Sequence, residues 1–168
     1  EAPLNSDSFF WGGLSRQDGY TNAAEARRAL KRMADTPRYF AENIANMRAG
    51  LKRGYTVPQV GLKGRDATII PYTDPGAANP LRVAFDKMPA DLPGRADIVA
   101  EADRLIRTQV APAYANLLTF MRSEYMPNAI QSVSARDLPN GEAFYKDRIR
   151  YHTTLDLTPD EIHRIGLQ

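Results

Sequence analysis

The chain has 168 residues, of which 43% are hydrophobic and 25% charged, the size and make-up of one soluble globular domain with room for a core. A net charge of +2, with no dense Lys/Arg block, argues against nucleic acid as a partner. Cysteine is absent, which excludes disulfides and thiolate metal sites, and no apolar run approaches the ~20 residues of a membrane span.

Residues 1–21 read as an extended arm. Pro3, Gly12, Gly13 and Gly19 argue for loop, while Phe9, Phe10 and Trp11 need a surface to lie on, since each gains ~2–3 kcal/mol on burial. Residues 22–168 read as a helical domain, or as the helical part of a longer protein. Asn22 suits a helix N-cap, with Glu25 at the capping-box position and Ala26, Leu30 and Met33 at helical spacing behind it. Arg27, Arg28, Lys31 and Arg32 form its solvated face. Thr36-Pro37 repeats the cap-then-proline signature and predicts a second helix, an antiparallel neighbour joined through Asp35-Thr36. Phe40, Ile44, Met47 and Leu51 make its core stripe, and Gly54 suits its left-handed C-terminal cap.

Residues 55–80 are broken by Pro58, Gly61, Gly64, Pro71, Pro75, Gly76 and Pro80. Thr68-Ile69-Ile70 fits a brief strand or a buried turn. Asn79-Pro80 starts a short helix with Leu81, Phe85 and Met88. From about Ala96 comes the longest element, with Ile98, Ala102, Leu105, Val110, Ala113, Leu117, Phe120 and Met121 in helical period. Glu101–Arg104 and Asp103–Arg107 are placed to pair on its outer face. Pro112 predicts a kink or break near Thr108 to Val110, and Pro127 an end.

Residues 128–137 read as a polar connector, and Leu138-Pro139-Asn140-Gly141 as a turn. A helix follows over residues 142–150. Thr158, Pro159 and Glu161 then assemble a complete helix start, with Leu157 and Ile162 placed as a hydrophobic staple. A helix begun with this care and carried only to Gln168 predicts a chain that continues. Ile162 and Ile165 are then expected to be more exposed than their spacing alone implies. No long period-2 run and no internal repeat occurs. The fold class is all-α: an irregular helical bundle with a long, proline-interrupted central helix and an extended N-terminal arm.

Little of this points to self-contained chemistry. His152 and His163 are the two histidines, with no HExxH pattern and no second His four residues away on one helix. No Gly-x-Ser-x-Gly elbow is present. Asp160-Glu161 is explained by the helix N-terminus, whose partial positive charge favours carboxylates. The candidate substrate-binding cluster is Tyr145, Arg148, Tyr151 and His152, whose groups can hydrogen-bond a peptide carboxylate or an oxyanion. Its bland alternative is a polar helix flank beside a loop. The chain offers no catalytic residue and no metal ligand set.

Three stretches carry a resemblance. Leu138-Pro139-Asn140-Gly141-Glu142-Ala143-Phe144-Tyr145 and residues 151–163, with Gly166-Leu167, form a long closing motif; residues 50–58 and Val110-Ala111-Pro112-Ala113-Tyr114 are weaker companions. Together they resemble the bacterial domain of unknown function 885. The resemblance implies a longer, mostly helical protein, exported or lipid-anchored and so periplasmic or extracellular. It further implies a zinc metallopeptidase-like activity, built on an HExxH-type helix downstream, in which zinc polarises the scissile carbonyl and activates water while the Glu acts as general base. None of those residues is present in this chain. Under the resemblance this segment is an N-terminal helical wall, inactive alone, with no cofactor of its own and zinc implied for the parent. Its partners are then the C-terminal catalytic portion and a peptide substrate. The rival expectation is a free-standing helical module that grips a peptide or small ligand.

Overall fold

Residues 18–168 are described by the computed structural model. Among them no strand occurs, and the architecture is an irregular all-α bundle built on two long helices. The aromatic triplet Phe9, Phe10 and Trp11 lies outside the described residues.

Asn22 caps α1 (Ala23–Arg53), its side chain accepting from the Glu25 N–H at 2.8 Å. The expected joint at Asp35-Thr36 does not exist. The helix runs 31 residues through Pro37, so the anticipated antiparallel pair is one element. Phase explains the difference. Met33 and Phe40 are two helical turns apart, so the apolar sets on either side of Pro37 share one face only if the helix is unbroken. Ala26, Leu30, Met33, Phe40, Ile44 and Met47 are all buried along it. Six such side chains outweigh the ~3 kcal/mol that an interior proline costs. On the outer face Arg38 reaches both Asp35 and Glu42. Gly54, at φ 77°, closes the helix by donating to the carbonyls of Gly50 and Leu51.

Helix α4 (residues 95–128) starts beside the start of α1, where Gly94 faces the Arg27 guanidinium, and passes its far end, where Arg48 pairs with Glu124. The two long helices therefore run parallel. The chain between them must retrace most of α1, about 45 Å at ~1.5 Å per residue. It does so in short pieces: α2 (Gln59–Leu62), the 3-10 turns Arg65–Thr68, Ile70–Thr73 and Pro80–Arg82, and α3 (Val83–Asp86). Thr68-Ile69-Ile70 is a turn rather than a strand, with Ile69 buried and Ile70 exposed. The buried Asn79 amide fastens this segment. It donates to the carbonyls of Tyr72 and Asp74 and accepts from the Leu81 N–H. Leu81, Phe85 and Met88 are buried as their spacing predicts.

Proline shapes α4 twice. The α-helical stretch Arg95–Leu105 widens into a π turn at Ile106–Val110, resumes over Ala111–Phe120, widens again at Met121–Tyr125, and closes with Met126–Asn128. Each widened turn is closed by the residue just before a proline: the Ala111 N–H donates to Ile106, and the Met126 N–H to Met121. Proline supplies no N–H and its ring crowds the preceding turn, so a wider turn lets the helix continue. The kink expected before Pro112 is thus a π turn, and Pro127 lies within the last turn instead of ending the helix. Asp103 pairs with Arg82 from the return segment, not with Arg107; the expected Glu101–Arg104 pair is present. Between the long helices Tyr114 meets Phe40 edge-on, with centroids 4.8 Å apart, and stacks on Tyr72.

Beyond α4 the packing thins. Tyr55 donates its hydroxyl to the Pro139 carbonyl at 2.9 Å, and Gly54 lies against the Pro139 ring. Two stretches that carry the resemblance, around residues 50–58 and 138–145, therefore meet at one corner. Helix α5 (Gly141–Thr153) starts there, resting on the 3-10 turn Ala135–Asp137. A Cβ on Gly141 would lie 1.8 Å from the Ala135 carbonyl oxygen, so only glycine permits this contact. Helix α6 (Pro159–Gly166) follows. Its capping box is complete: Thr158 accepts from the Glu161 N–H, and the Glu161 carboxylate accepts from the Thr158 N–H.

Candidate functional site

Helix α5 presents the candidate substrate-binding residues on its outer side. Gly141 and Ile149 are its buried members, so Tyr145, Tyr151 and His152 are left exposed and Arg148 half-exposed. Three of the four are brought together. The Arg148 guanidinium lies 4.8 Å from the centre of the Tyr151 ring, and the Tyr151 ring meets His152 edge-on at 5.0 Å. Arg148 also donates to its neighbour Asp147 at 2.6 Å. Tyr145 makes no described hydrogen bond or ring contact with the other three.

Phe144 completes the cluster, with the Arg148 guanidinium 5.7 Å from its ring centre. Phe144 falls within the helix expected over residues 142–150. Its signal was there in the spacing: residues 144, 148 and 151 fall at i, i+4 and i+7, which stacks them on one face. The arrangement is a cation held between two aromatic faces at the surface, an attraction of ~0.5–1 kcal/mol per contact at exposed sites. Chemically it offers flat apolar faces and guanidinium N–H donors, which suits a chain carrying carboxylate and aromatic groups. It contains no nucleophile paired with a base.

The donor set does not fit the zinc that the resemblance implies. Among the described residues no group of three or more His, Cys, Asp or Glu side chains could hold a metal ion. His152 and His163 are both exposed on separate helices. Among the described residues no helix is long and apolar enough to cross a membrane.

One carboxylate near the cluster is perturbed. Glu161 is held below the ordinary glutamate range first by the hydrogen bond from the Thr158 backbone, then by the Thr158 hydroxyl, with smaller help from Arg164 and Lys146. Lys146 on α5 pairs with Asp156 at 3.5 Å, drawing the α5–α6 connection back against α5.

Comparison with known proteins agrees with the fold. A crystal structure of the putative lipoprotein from Colwellia psychrerythraea superimposes with a TM-score of 0.73 at 20% identity, over 92% of this chain and 27% of that one. At that identity the likeness shows a shared fold, and the chain spans 27% of the length of the protein it matches. No curated protein matches it. The family model described as bacterial protein of unknown function (DUF885) matches residues 5–168, nearly the entire sequence, so the chain belongs to the DUF885 family.

Proposed function

We propose that this chain is the N-terminal helical portion of a longer, zinc-dependent metallopeptidase-like protein, forming one wall of its cleft and inactive alone. The observation that carries the reading is the asymmetry of coverage: 92% of this chain corresponds to 27% of the solved relative. In this reading the metal and its ligands belong to the C-terminal catalytic portion. The division into an arm, residues 1–21, and a helical domain, residues 22–168, belongs to the same proposal. The relative's description as a lipoprotein supports a periplasmic or extracellular location.

Within that wall, Tyr145, Arg148, Tyr151 and His152 face a peptide substrate. Their exposure on α5, and the flat sandwich around Arg148, support the role. The deciding experiment is the nucleotide sequence after the codon for Gln168. A reading frame that continues into an HExxH-type helix supports the proposal, and a stop codon there refutes it. In the longer enzyme, Arg148→Ala then raises KM for a peptide while kcat changes little. An unchanged KM removes the substrate role from the cluster.

A second reading is a free-standing helical module that binds a peptide or small ligand. The exposed Phe144–Arg148–Tyr151 sandwich favours it, because such a surface stacks planar groups without help from other domains. A thermal-shift screen of the 168-residue chain against peptides tests it. Stabilisation that Arg148→Ala abolishes supports the module.

A further inference from the structure

We propose that Thr154 is a further substrate-binding residue, whose hydroxyl accepts a hydrogen bond from a main-chain N–H of a bound peptide; this rests on the role given above to Tyr145, Arg148, Tyr151 and His152. The observation behind it is the backbone at the end of α5. Thr154 stands there in the left-handed conformation, at φ 60° and ψ 6°.

Among the described residues the other positions with positive φ are Gly54, Gly64, Gly94 and Asn140. The glycines have no Cβ to crowd the chain, and asparagine tolerates this conformation. Threonine does not: its branched Cβ presses on the following carbonyl, which makes a left-handed threonine an outlier. A left-handed residue is an ordinary way to end a helix, and the Thr154 N–H duly donates to the Arg150 carbonyl at 2.9 Å. Glycine would make the same turn without the crowding. A threonine at this place therefore needs a reason in its side chain.

The surrounding fold does not supply that reason. Thr154 is exposed, and its hydroxyl donates to the carbonyl of its own neighbour, Thr153, at 2.6 Å. Thr153 is the one that fastens the turn. Its hydroxyl donates to the Ile149 carbonyl at 2.7 Å and accepts from the Leu155 N–H at 3.2 Å. The Lys146–Asp156 pair ties the following residues back to α5. The neighbours thus hold Thr154 in a costly conformation while its own side chain stays at the surface, directly after Tyr151 and His152 in the chain. Strain maintained in this way gathers where a side chain is used on a ligand.

The hydroxyl spends its proton on the Thr153 carbonyl and keeps its lone pairs, so toward a ligand it acts as an acceptor. Arg148 carries donors only. The two are complementary: a peptide carboxylate suits Arg148, and a peptide N–H suits Thr154.

The test has two arms. In the 168-residue chain, amide exchange of residues 150–154 should slow about threefold in Thr154→Gly, because relief of the crowded backbone outweighs the freedom that glycine adds. Faster exchange would mean that the threonine stabilises its own turn, and overturns the proposal. The second arm uses the product of the full reading frame, with the best-cleaved member of a fluorogenic hexapeptide library as probe. Thr154→Val keeps the shape and removes the hydroxyl, so KM should rise about fivefold, the worth of one hydrogen bond, with kcat little changed. Thr154→Ser should keep the original KM. An unchanged KM in Thr154→Val overturns the proposal, and Arg148→Ala measured alongside shows how far the failure reaches. A KM that rises for Arg148→Ala alone leaves the cluster standing without Thr154. A KM that rises for neither removes the cluster and Thr154 together, as does a product that cleaves no member of the library.

Discussion

Helices α1 and α6 begin in the same way and hold their places by different means. Asn22 and Thr158 each accept from the backbone N–H of a glutamate three residues on, Glu25 and Glu161. From there α1 lays a buried stripe against α4, whereas α6 buries nothing. Capping decides where a helix starts; burial decides whether the rest of the molecule depends on it. The body of the protein is organised by the second rule, and α6 by the first.

The sharpest way to break this contrast is to attack both regions and compare the losses. Phe40 is 2% exposed and meets Tyr114 edge-on, so Phe40→Ala is expected to cost about 3–5 kcal/mol of global stability, measured by urea denaturation. A loss no larger than that of a surface change would show that the α1–α4 seam is not the core. Next comes Gly141→Ala. The added methyl would meet the Ala135 carbonyl oxygen, and a destabilisation of about 1–3 kcal/mol is expected, with faster amide exchange over residues 141–153.

Thr158→Ala has a smaller and purely local effect. It should weaken α6 by about 1 kcal/mol, seen as faster exchange of residues 159–166 with the global Tm unmoved. A shift in global Tm would mean that α6 is coupled to the core after all. Acid gives the gentlest probe. The Glu161 carboxyl titrates below its ordinary value of 4.5 in the folded chain, so its contribution is complete above that value and is lost as pH falls through the lower, folded one. Helix α6 should thus keep its carbonyl-region NMR shifts from neutral pH down to the ordinary glutamate value of 4.5 and fray only below it. Glu161→Gln should flatten this dependence.

The contrast also explains what the sequence made legible. Helix ends were readable wherever residues nearby in sequence cap them: Asn22 and Thr158 accept from backbone N–H groups, and Gly54 takes the left-handed conformation. Prolines misled. Thr36-Pro37 looks like a helix start, but the phase of Met33 and Phe40 across it decides for continuity. Pro127 looks like a stop, but a widened turn accommodates it. In both places a long-range interest in keeping one face on the core overrides a local preference, and nothing within a few residues reports it. The Arg82–Asp103 pair and the Tyr55–Pro139 hydrogen bond were invisible for the same reason, since they join distant segments. At the candidate site the residue types were readable. The sandwich that gathers Phe144, Arg148 and Tyr151, and leaves Tyr145 outside it, needed coordinates.

The two π turns of α4 bear on how this chain can be aligned with its relatives. Ile106 and Met121 open them, fifteen residues apart, as are Pro112 and Pro127. A π turn is an α-helix with one additional residue fitted in, and the buried faces on either side record it. Ile98, Ala102 and Leu105 are followed by Ile106, Val110 and Ala113, one position later than a regular helix would place them, and Phe120 with Met121 repeats the step. Single-residue gaps in relatives therefore belong at these two turns, where the helix can lose a residue and keep both flanking faces on the core. A gap anywhere else in α4 would rotate everything after it by about 100°, a full residue's turn, and would lift Tyr114 off Phe40 or Tyr125 off Val57.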